Sequence, residues 1–351
     1  MTPTESTTAV ADGAGRSRYP GFRMTIKAVG TGPRGSRALE FAEAREAMRA
    51  ILAGEVTPAQ AGAFLIAMRM KGEDAPELAG FAQAMRDVRP VVAPVVGSPP
   101  LVSSAGSYDG VIESPSLSLA AALTSAGAGI RVVTHCGGLL GPKYGVTLLD
   151  VLAALGGPAR PTVDASLAML ERSGVGVVHA GEAIPGFDRL CEIRDEIGLR
   201  SPVHSAEKLV DHFGATRFVV GHTHSTYTEK LAATMRLLGA ERAVIVRGVE
   251  GSDVLRPGRP AAFVDDARLD LPQAMGMVLR GAADAEVSAD LTRVILSGEE
   301  QGVAARAVAL SAGMQLFAAG VAATPRDAIA AAERSIASGA ATAALDRLLD
   351  A

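Results

Sequence analysis

Beyond residue 100, short apolar runs rich in β-branched residues alternate with longer segments of helical periodicity. This alternation is typical of a mainly parallel sheet whose faces are covered by helices. In such sheets ligands bind beyond the carboxyl ends of the strands, so the loops that leave the runs are the first candidates for a site. The predicted strands are Leu101–Ser103, Ile130–Thr134, Val175–His179, Phe218–Gly221, Ala243–Arg247 and Ala262–Val264.

The preceding segment predicts helices only. Residues 39–88 contain three successive apolar stripes at helical spacing. Thr57 with Gln60, and Asp74 with Glu77, have the spacing of capping boxes, which mark helix starts. We therefore predict a short bundle of three helices over this segment, with the stripes serving core and subunit packing.

The stretch "RPVVAPVVGSPP", residues 89–100, places four prolines among valines, which oppose both a continuing helix and a central strand. We interpret it as a hinge. The predicted fold class is α/β, with a small all-helical N-terminal domain joined by this hinge to a larger α/β domain with a mainly parallel sheet. We expect residues 1–23 to be a flexible extension and residues 24–98, joined by part of 160–215, to be the helical domain. Residues 99–351 are then the α/β domain.

Composition excludes several classes of protein. The 34 basic and 38 acidic residues give a formal charge of -4, which provides no overall field for a polyanion. Two distant cysteines, Cys136 and Cys191, favour a reducing compartment without a disulfide framework. No run has the length of a membrane span, and the N-terminus lacks the apolar core of a signal peptide. We expect a cytoplasmic protein that does not bind membranes.

The loop "SSAGSYDGVIESPSLSLAAAL" leaves the first predicted strand and enters a helix near residues 114–118. Its small residues let backbone amides approach a ligand, and a helix start adds positive potential, so the loop favours a phosphate. A tight strand-to-helix turn without a ligand is the alternative. The candidate ligand-binding residues are Gly106, Ser107, Tyr108, Asp109, Gly110 and Ser118.

A second loop, "THCGGLLGPKYGVTLLD", has four glycines around one lysine. The glycines permit a nest of amides and Lys143 supplies positive charge, so this loop also predicts a phosphate cradle, although the spacing is not that of a P-loop. Thr147 is placed to cap the next helix. His135 is either a donor to the ligand or a satisfied, half-buried histidine. The candidates here are His135, Lys143, Gly145 and Thr147.

Basic residues gather in "IRDEIGLRSPVHSAEKL". The planar fork of arginine matches a carboxylate or phosphate, so Arg194, His204 and Lys208 are candidates for binding a second, acidic substrate, with Arg200 beside them. A solvated helix with surface ion pairs is the alternative.

Two further strand-end loops contain possible metal ligands. "VRGVEGSDVL" offers Glu250 and Asp253, hard oxygen ligands suited to magnesium, although two acids in a glycine turn are common. "GHTHST" places His222 and His224 two residues apart, but we identify no further zinc ligands at the required spacing. For this pair we prefer hydrogen bonding at the strand end.

With these loops in place, the sequence resembles the anthranilate phosphoribosyltransferase family, which shares its fold with pyrimidine nucleoside phosphorylases. The similarity runs from about Thr25 to the C-terminus and is most specific in residues 51–86. "THCGGLLGPKYGVTLLDVLAALG" resembles the family's K-H-G-N-R-x-x-S-S-x-x-G segment, which holds the phosphoribosyl donor, and His135, Lys143 and Gly145 match it. The resemblance implies a homodimer paired through the helices.

The resemblance also implies roles for two residues outside that segment. Arg194 in "IRDEIG" is similar to the family's acceptor arginine, which grips the anthranilate carboxylate. Asp253 resembles the first acid of the family's metal pair. Magnesium is therefore the expected cofactor, with Glu250 and Asp253 sharing it, and phosphoribosyl pyrophosphate is the expected donor.

Several family positions differ in this chain. The donor signature G-T-G-G-D is "SAGSYDG" here, the motif arginine is Gly138, and the second metal acid is Val254. "SYDG", "PKYGV", "HSAEKL" and "VEGS" resemble a divergent branch, some of whose members bind nucleic acid. We therefore predict transfer of 5-phosphoribose to an aromatic or heteroaromatic acid other than anthranilate. The alternatives are a nucleic-acid-binding protein without catalysis and a nucleoside phosphorylase.

Overall fold

The computed structural model describes residues 21–90, 97, 99–138 and 141–350. Its helical part contains α1 (Arg23–Gly30), α2 (Phe41–Ala53), α3 (Pro58–Lys71) and α4 (Ala75–Asp87). The three predicted helices are confirmed, and α1 precedes them. The predicted extension, residues 1–23, and the predicted hinge fall largely outside the described residues.

Local hydrogen bonds explain where α3 and α4 begin. The Thr57 hydroxyl accepts from the Gln60 amide at 3.2 Å, and the Gln60 side chain accepts from the Thr57 amide at 3.1 Å. Asp74 and Glu77 make the same reciprocal pair, each at 3.0 Å. Both predicted capping boxes are therefore present, and each satisfies two amide donors that the helix itself leaves open.

In the part of the chain that the structure describes, the sheet has seven strands in the order β3-β2-β1-β4-β5-β6-β7. Its first five strands are parallel, whereas β6 and β7 are antiparallel additions at one edge. All six predicted strands are confirmed to within two residues at each end, and the short β7 was not predicted. The strands are β1 (Leu101–Ala105), β2 (Arg131–Cys136), β3 (Val175–His179), β4 (Arg217–His222), β5 (Arg242–Arg247), β6 (Ala262–Val264) and β7 (Ala267–Arg268).

Strand β1 lies at the point where the strand order reverses, because β2 pairs on one side of it and β4 on the other. In open parallel sheets this switch point creates a crevice at the carboxyl edge. Helices cover the sheet: α5 (Ser118–Gly127), α6 (Leu148–Ala154), α7 (Val163–Ser173), α8 (Ala180–Ala183), α9 (Phe187–Ile197), α10 (Val203–Ala206), α11 (Tyr227–Leu237), α12 (Ala285–Leu296), α13 (Val303–Ala319), α14 (Pro325–Ala337) and α15 (Ala340–Leu349).

The helical part packs directly against the α/β part. Helix α9 contacts α2 and α3, while α10 and α11 contact α4. One apolar cluster runs without interruption from Phe64 and Phe81 in the helical part to Phe218 and Val220 on β4. The predicted α/β fold with a small helical domain is confirmed, whereas the exact domain boundaries stay a prediction. Within the described residues, no helix has the length and apolar character needed to cross a membrane.

A buried carboxylate in the helical part generates a stability prediction. Glu77 is fully buried and accepts from the backbone amides of Leu39 and Asp74, while Lys71 pairs with it at 2.8 Å. Replacing Glu77 with alanine leaves two amides and an ammonium without their acceptor. We expect Glu77→Ala to lower the free energy of unfolding by about 3 kcal/mol.

Urea denaturation, followed by circular dichroism, measures this change. Glu46→Ala, on the exposed end of the pair with Arg49, is the matched control and should shift stability by less than about 1 kcal/mol. Equal midpoints for the two variants would contradict the prediction.

Candidate functional site

A cleft of about 880 Å³ lies at the carboxyl edge of the sheet, where the α/β part faces the helical part. The β1 loop and the turn after β5 line it from the sheet side. The α3–α4 connection lines it from the helical side. Among its lining residues are Arg69, Glu73, Ser107, Tyr108, Asp109, Lys143, Arg200, Ser201, His204, Lys208, His222, His224, Tyr227, Lys230 and Glu250.

The two glycine-containing loops meet in this cleft. The Lys143 ammonium lies 3.4 Å from the Gly110 carbonyl oxygen, 3.0 Å from a Glu250 carboxylate oxygen and 3.4 Å from the Glu250 carbonyl oxygen. The Arg200 guanidinium lies 2.6 Å from the Asp109 carboxylate. The structure therefore brings the predicted lysine to the predicted turn, as a shared pocket requires.

Two glycines make this meeting of loops possible. Gly110 has a positive φ of 75°, and a Cβ at that position would lie 2.2 Å from the carbonyl carbon of Gly145. The Gly145 amide donates to the Asp109 carbonyl oxygen at 3.0 Å, and Val111 and Val146 exchange both backbone hydrogen bonds. These glycines permit close contact between two backbones, which is a different purpose from the ligand cradle predicted for Gly145.

Three other residues that were predicted to bind the phosphoribosyl donor lie away from the cleft wall. His135 is fully buried, with Nδ1 2.7 Å from a Glu207 carboxylate oxygen. The Ser118 hydroxyl donates to Asp253, and Thr147 caps α6 by accepting from the Asp150 amide. Each of these side chains has a partner inside the protein, and direct ligand contact by the three stays a prediction. His135 is fully buried rather than half-buried, with one ring nitrogen paired with Glu207 and the other, Nε2, without a partner among the described residues.

The predicted acceptor residues separate into two groups. His204 and Lys208 line the cleft, and the His204 ring packs against the Tyr108 ring at 4.7 Å between centroids. Arg194, in contrast, is only 1% exposed and donates to the Gly141 carbonyl oxygen. Arg194 is not among the residues lining the cleft, and its predicted contact with an acceptor carboxylate stays a prediction.

The predicted magnesium pair does not have the geometry of a metal site. Glu250 accepts from the amides of Ile112 and Glu113 and from the Ser114 hydroxyl, in addition to Lys143. Burial opposes ionisation of Glu250, but these hydrogen bonds leave its pKa below the ordinary value. The carboxylate oxygens of Glu250 are therefore occupied by hydrogen bonds to the loop that follows β1.

Asp253 is equally unavailable as a metal ligand. It is 1% exposed and accepts from the hydroxyls of Ser104 and Ser118 at 2.6 and 2.5 Å, and burial raises the pKa of its carboxyl group. The described part of the chain contains no group of three or more His, Cys, Asp or Glu side chains arranged to hold a metal. Glu250 and Asp253 therefore do not fit the predicted role of sharing a magnesium ion.

Glu73, from the helical part, is a cleft residue that the sequence did not indicate. The Tyr227 hydroxyl donates to the Glu73 carboxylate at 2.6 Å, and the Lys230 ammonium lies 3.5 Å from the same oxygen. Glu73 follows α3 and has no motif around it, so only its position before a capping box could have drawn attention to it. These contacts join the two walls of the cleft.

His222 and His224 also lie on the cleft wall, with different surroundings. His222 is 5% exposed, and its Nε2 lies 3.0 Å from the Thr228 hydroxyl. His224 is exposed. Hydrogen bonding at the strand end, the preferred interpretation, is what the structure shows for His222.

Comparison with known proteins agrees with this architecture. Residues 24–88 match the glycosyl transferase family, helical bundle domain, and residues 109–342 match the glycosyl transferase family, a/b domain. The chain therefore belongs to this glycosyl transferase family. The family predicted from the sequence resemblance is confirmed.

Relatives in this family include named enzymes. The anthranilate phosphoribosyltransferase of Chelativorans sp. (strain BNC1) is 34% identical over 326 residues, which cover 89% of this chain and 94% of that protein. The crystal structure of anthranilate phosphoribosyltransferase from Thermus thermophilus has a TM-score of 0.79 at 30% identity, covering 92% of this chain and 98% of that one. The enzyme from Saccharomyces cerevisiae, solved in complex with PRPP and Mg, has a TM-score of 0.77 at 16% identity, covers 93% of this chain and 96% of that one, and shows the fold alone.

The buried His222 generates a pH prediction. Burial lowers its pKa to about 4 from an ordinary value of 6.5, although the His224 backbone opposes the shift. Between those pH values the unfolded chain binds more protons than the folded chain. The contribution of neutral His222 to the free energy of unfolding is therefore complete above pH 6.5. It is lost as the pH falls towards 4, at roughly 1 kcal/mol per pH unit.

Substitution of His222 tests this dependence. His222→Gln should reduce the slope of urea midpoint against pH between about pH 7 and 5 without removing it, because burial also lowers the pKa values of His204 and His212. His224→Gln, at the exposed neighbouring histidine, should leave the slope unchanged. If His222→Gln and the unsubstituted protein lose stability equally on acidification, His222 does not titrate as argued.

Proposed function

We propose that this protein transfers 5-phosphoribose from phosphoribosyl pyrophosphate to an aromatic or heteroaromatic acid other than anthranilate. The observation that carries the proposal is the convergence of Lys143, the turn containing Tyr108 and Asp109, and Lys208 on one cleft at the sheet's switch point. Backbone turns and ammonium groups at this edge are suited to an anionic sugar phosphate. Family membership and the named relatives support the same class of donor.

The departures from the family pattern support an acceptor other than anthranilate. The motif arginine is replaced by Gly138, and the acceptor-type arginine, Arg194, is buried beneath the cleft wall. His204, packed on Tyr108, and the exposed His224 provide aromatic and hydrogen-bonding surface instead. A planar ring matches the aromatic and hydrogen-bonding chemistry of this surface.

The chemistry that we propose needs no nucleophilic side chain. Transfer of a pentosyl group proceeds through an oxocarbenium-like state, so the protein has to position donor and acceptor and stabilise the departing diphosphate. The turn that contains Ser107 and Asp109 orients the donor, and Lys208 faces the negative charge. Magnesium is proposed only as a companion of the donor's diphosphate, since Glu250 and Asp253 are engaged elsewhere.

The two alternative functions have less support in the structure. Nucleic-acid binding would use cations in the cleft, but Lys143, Arg200 and Lys230 are each paired with a carboxylate. Phosphorolysis of a nucleoside is compatible with the cleft but is favoured by no feature beyond those used above. The homodimer through the helical domain and the cytoplasmic location stay predictions.

Calorimetric titration with phosphoribosyl pyrophosphate and magnesium tests donor binding. Lys143→Met should weaken donor affinity by about 10- to 100-fold, because it removes a charge and releases Glu250. Lys27→Met, on the surface of α1, is the control and should bind the donor normally. Absence of heat with the unsubstituted protein would remove the transferase proposal.

A panel of acceptors then tests the reaction. Pyrophosphate release should depend on an aromatic or heteroaromatic acid and should be slow or absent with anthranilate. Phosphate-dependent release of free base from nucleosides would indicate phosphorolysis instead. A salt-sensitive gel shift without pyrophosphate release would favour the nucleic-acid alternative.

A further inference from the structure

Lys208 occupies an unusual position at the floor of the cleft. It lies in the short turn Glu207–Leu209 after α10, and its ammonium donates to the carbonyl oxygen of Gly251 and lies 3.4 Å from that of Gly221. The first carbonyl belongs to the turn after β5 and the second to β4. The ammonium is thus fixed where two parallel strands end.

This ammonium differs from three other cleft cations in its partners. Lys143, Arg200 and Lys230 each pair with a carboxylate. Within the described residues Lys208 has no carboxylate at ion-pair distance, and both of its hydrogen-bond partners are neutral carbonyls. An ammonium has three N–H donors, so one donor and the whole charge remain available to a ligand in the cleft.

The turn after β5 explains how two ammonium groups are held close together. Glu250 has a left-handed φ of 50°, and the consecutive carbonyls of Glu250 and Gly251 accept from Lys143 and Lys208, respectively. The acids predicted to bind magnesium, Glu250 and Asp253, are both engaged with loop amides and hydroxyls. At this strand end the positive charge is supplied by side chains of the protein.

We infer that the Lys208 ammonium is a fixed cation for the diphosphate group of the donor, which binds here without a protein-held divalent metal. The inference rests on the proposed function and places Lys208 on the donor side, in place of the acceptor role predicted from the sequence. Charge-assisted hydrogen bonding from a pre-positioned ammonium replaces the contact that a metal ion would make to a diphosphate oxygen.

Titration with inorganic pyrophosphate, in EDTA and separately in magnesium, tests the inference on the full chain. Pyrophosphate should bind in EDTA with an affinity within about threefold of that in magnesium. Lys208→Met should weaken binding in EDTA by at least about tenfold, and Lys208→Arg should restore most of it because the charge is kept. Lys27→Met, at an exposed position of α1 outside the cleft, is the control and should change affinity by less than about threefold.

The outcomes separate this inference from the proposed function. Pyrophosphate binding only in magnesium, or equal affinity for Lys208→Met and the unsubstituted protein, overturns the inference. If phosphoribosyl pyrophosphate binds only in magnesium and Lys208→Met does not change its affinity, the transferase proposal stands. Pyrophosphate binding through Lys208 without any binding of phosphoribosyl pyrophosphate supports the diphosphate site and removes the transferase proposal. The comparison of EDTA with magnesium uses the unsubstituted protein, so it decides even if Lys208→Met fails to fold.

Discussion

The Glu250 carboxylate is the contact on which the geometry of the cleft depends. It accepts from the amides of Ile112 and Glu113 and from the Ser114 hydroxyl, and it pairs with Lys143. Three loops from different parts of the sequence are therefore fixed by one side chain. Because a half-buried carboxylate is stable only when its oxygens are satisfied, each loop restrains the others. The same engagement removes Glu250 from the set of metal ligands.

Much of the fold could be predicted from the sequence because its signals are local. Capping boxes at Thr57 and Asp74 depend on residues three positions apart, and the six strands are set off by turn residues. The loops of the site were found by the same means, since glycine and lysine at strand ends indicate a ligand edge. The sequence could not show which polar atoms would form hydrogen bonds to other buried groups of the protein. His135 and Asp253 are examples, because their partners Glu207, Ser104 and Ser118 are distant in sequence.

The charge of the cleft is another property that only the structure could give. The sequence shows that the loops around the cleft contain lysines and arginines. It does not show that these cations pair with Glu73, Asp109 and Glu250, because the partners come from separate loops. Among the half-buried cations that line the cleft, Lys208 is the one without a carboxylate at ion-pair distance in the described residues. Burial lowers the pKa of its ammonium group. Such a group is retained at a cost to stability, and a bound anion is the natural compensation.

The apolar cluster that runs from Phe64 to Phe218 bears on how the protein folds and evolves. A helical part that shares its interior with a sheet cannot separate from it without wetting both surfaces. The two parts are thus expected to melt in one cooperative transition, and neither is a module that recombination could move alone. The two walls of the cleft are therefore joined by a common interior, which restrains the helical and α/β parts from moving apart.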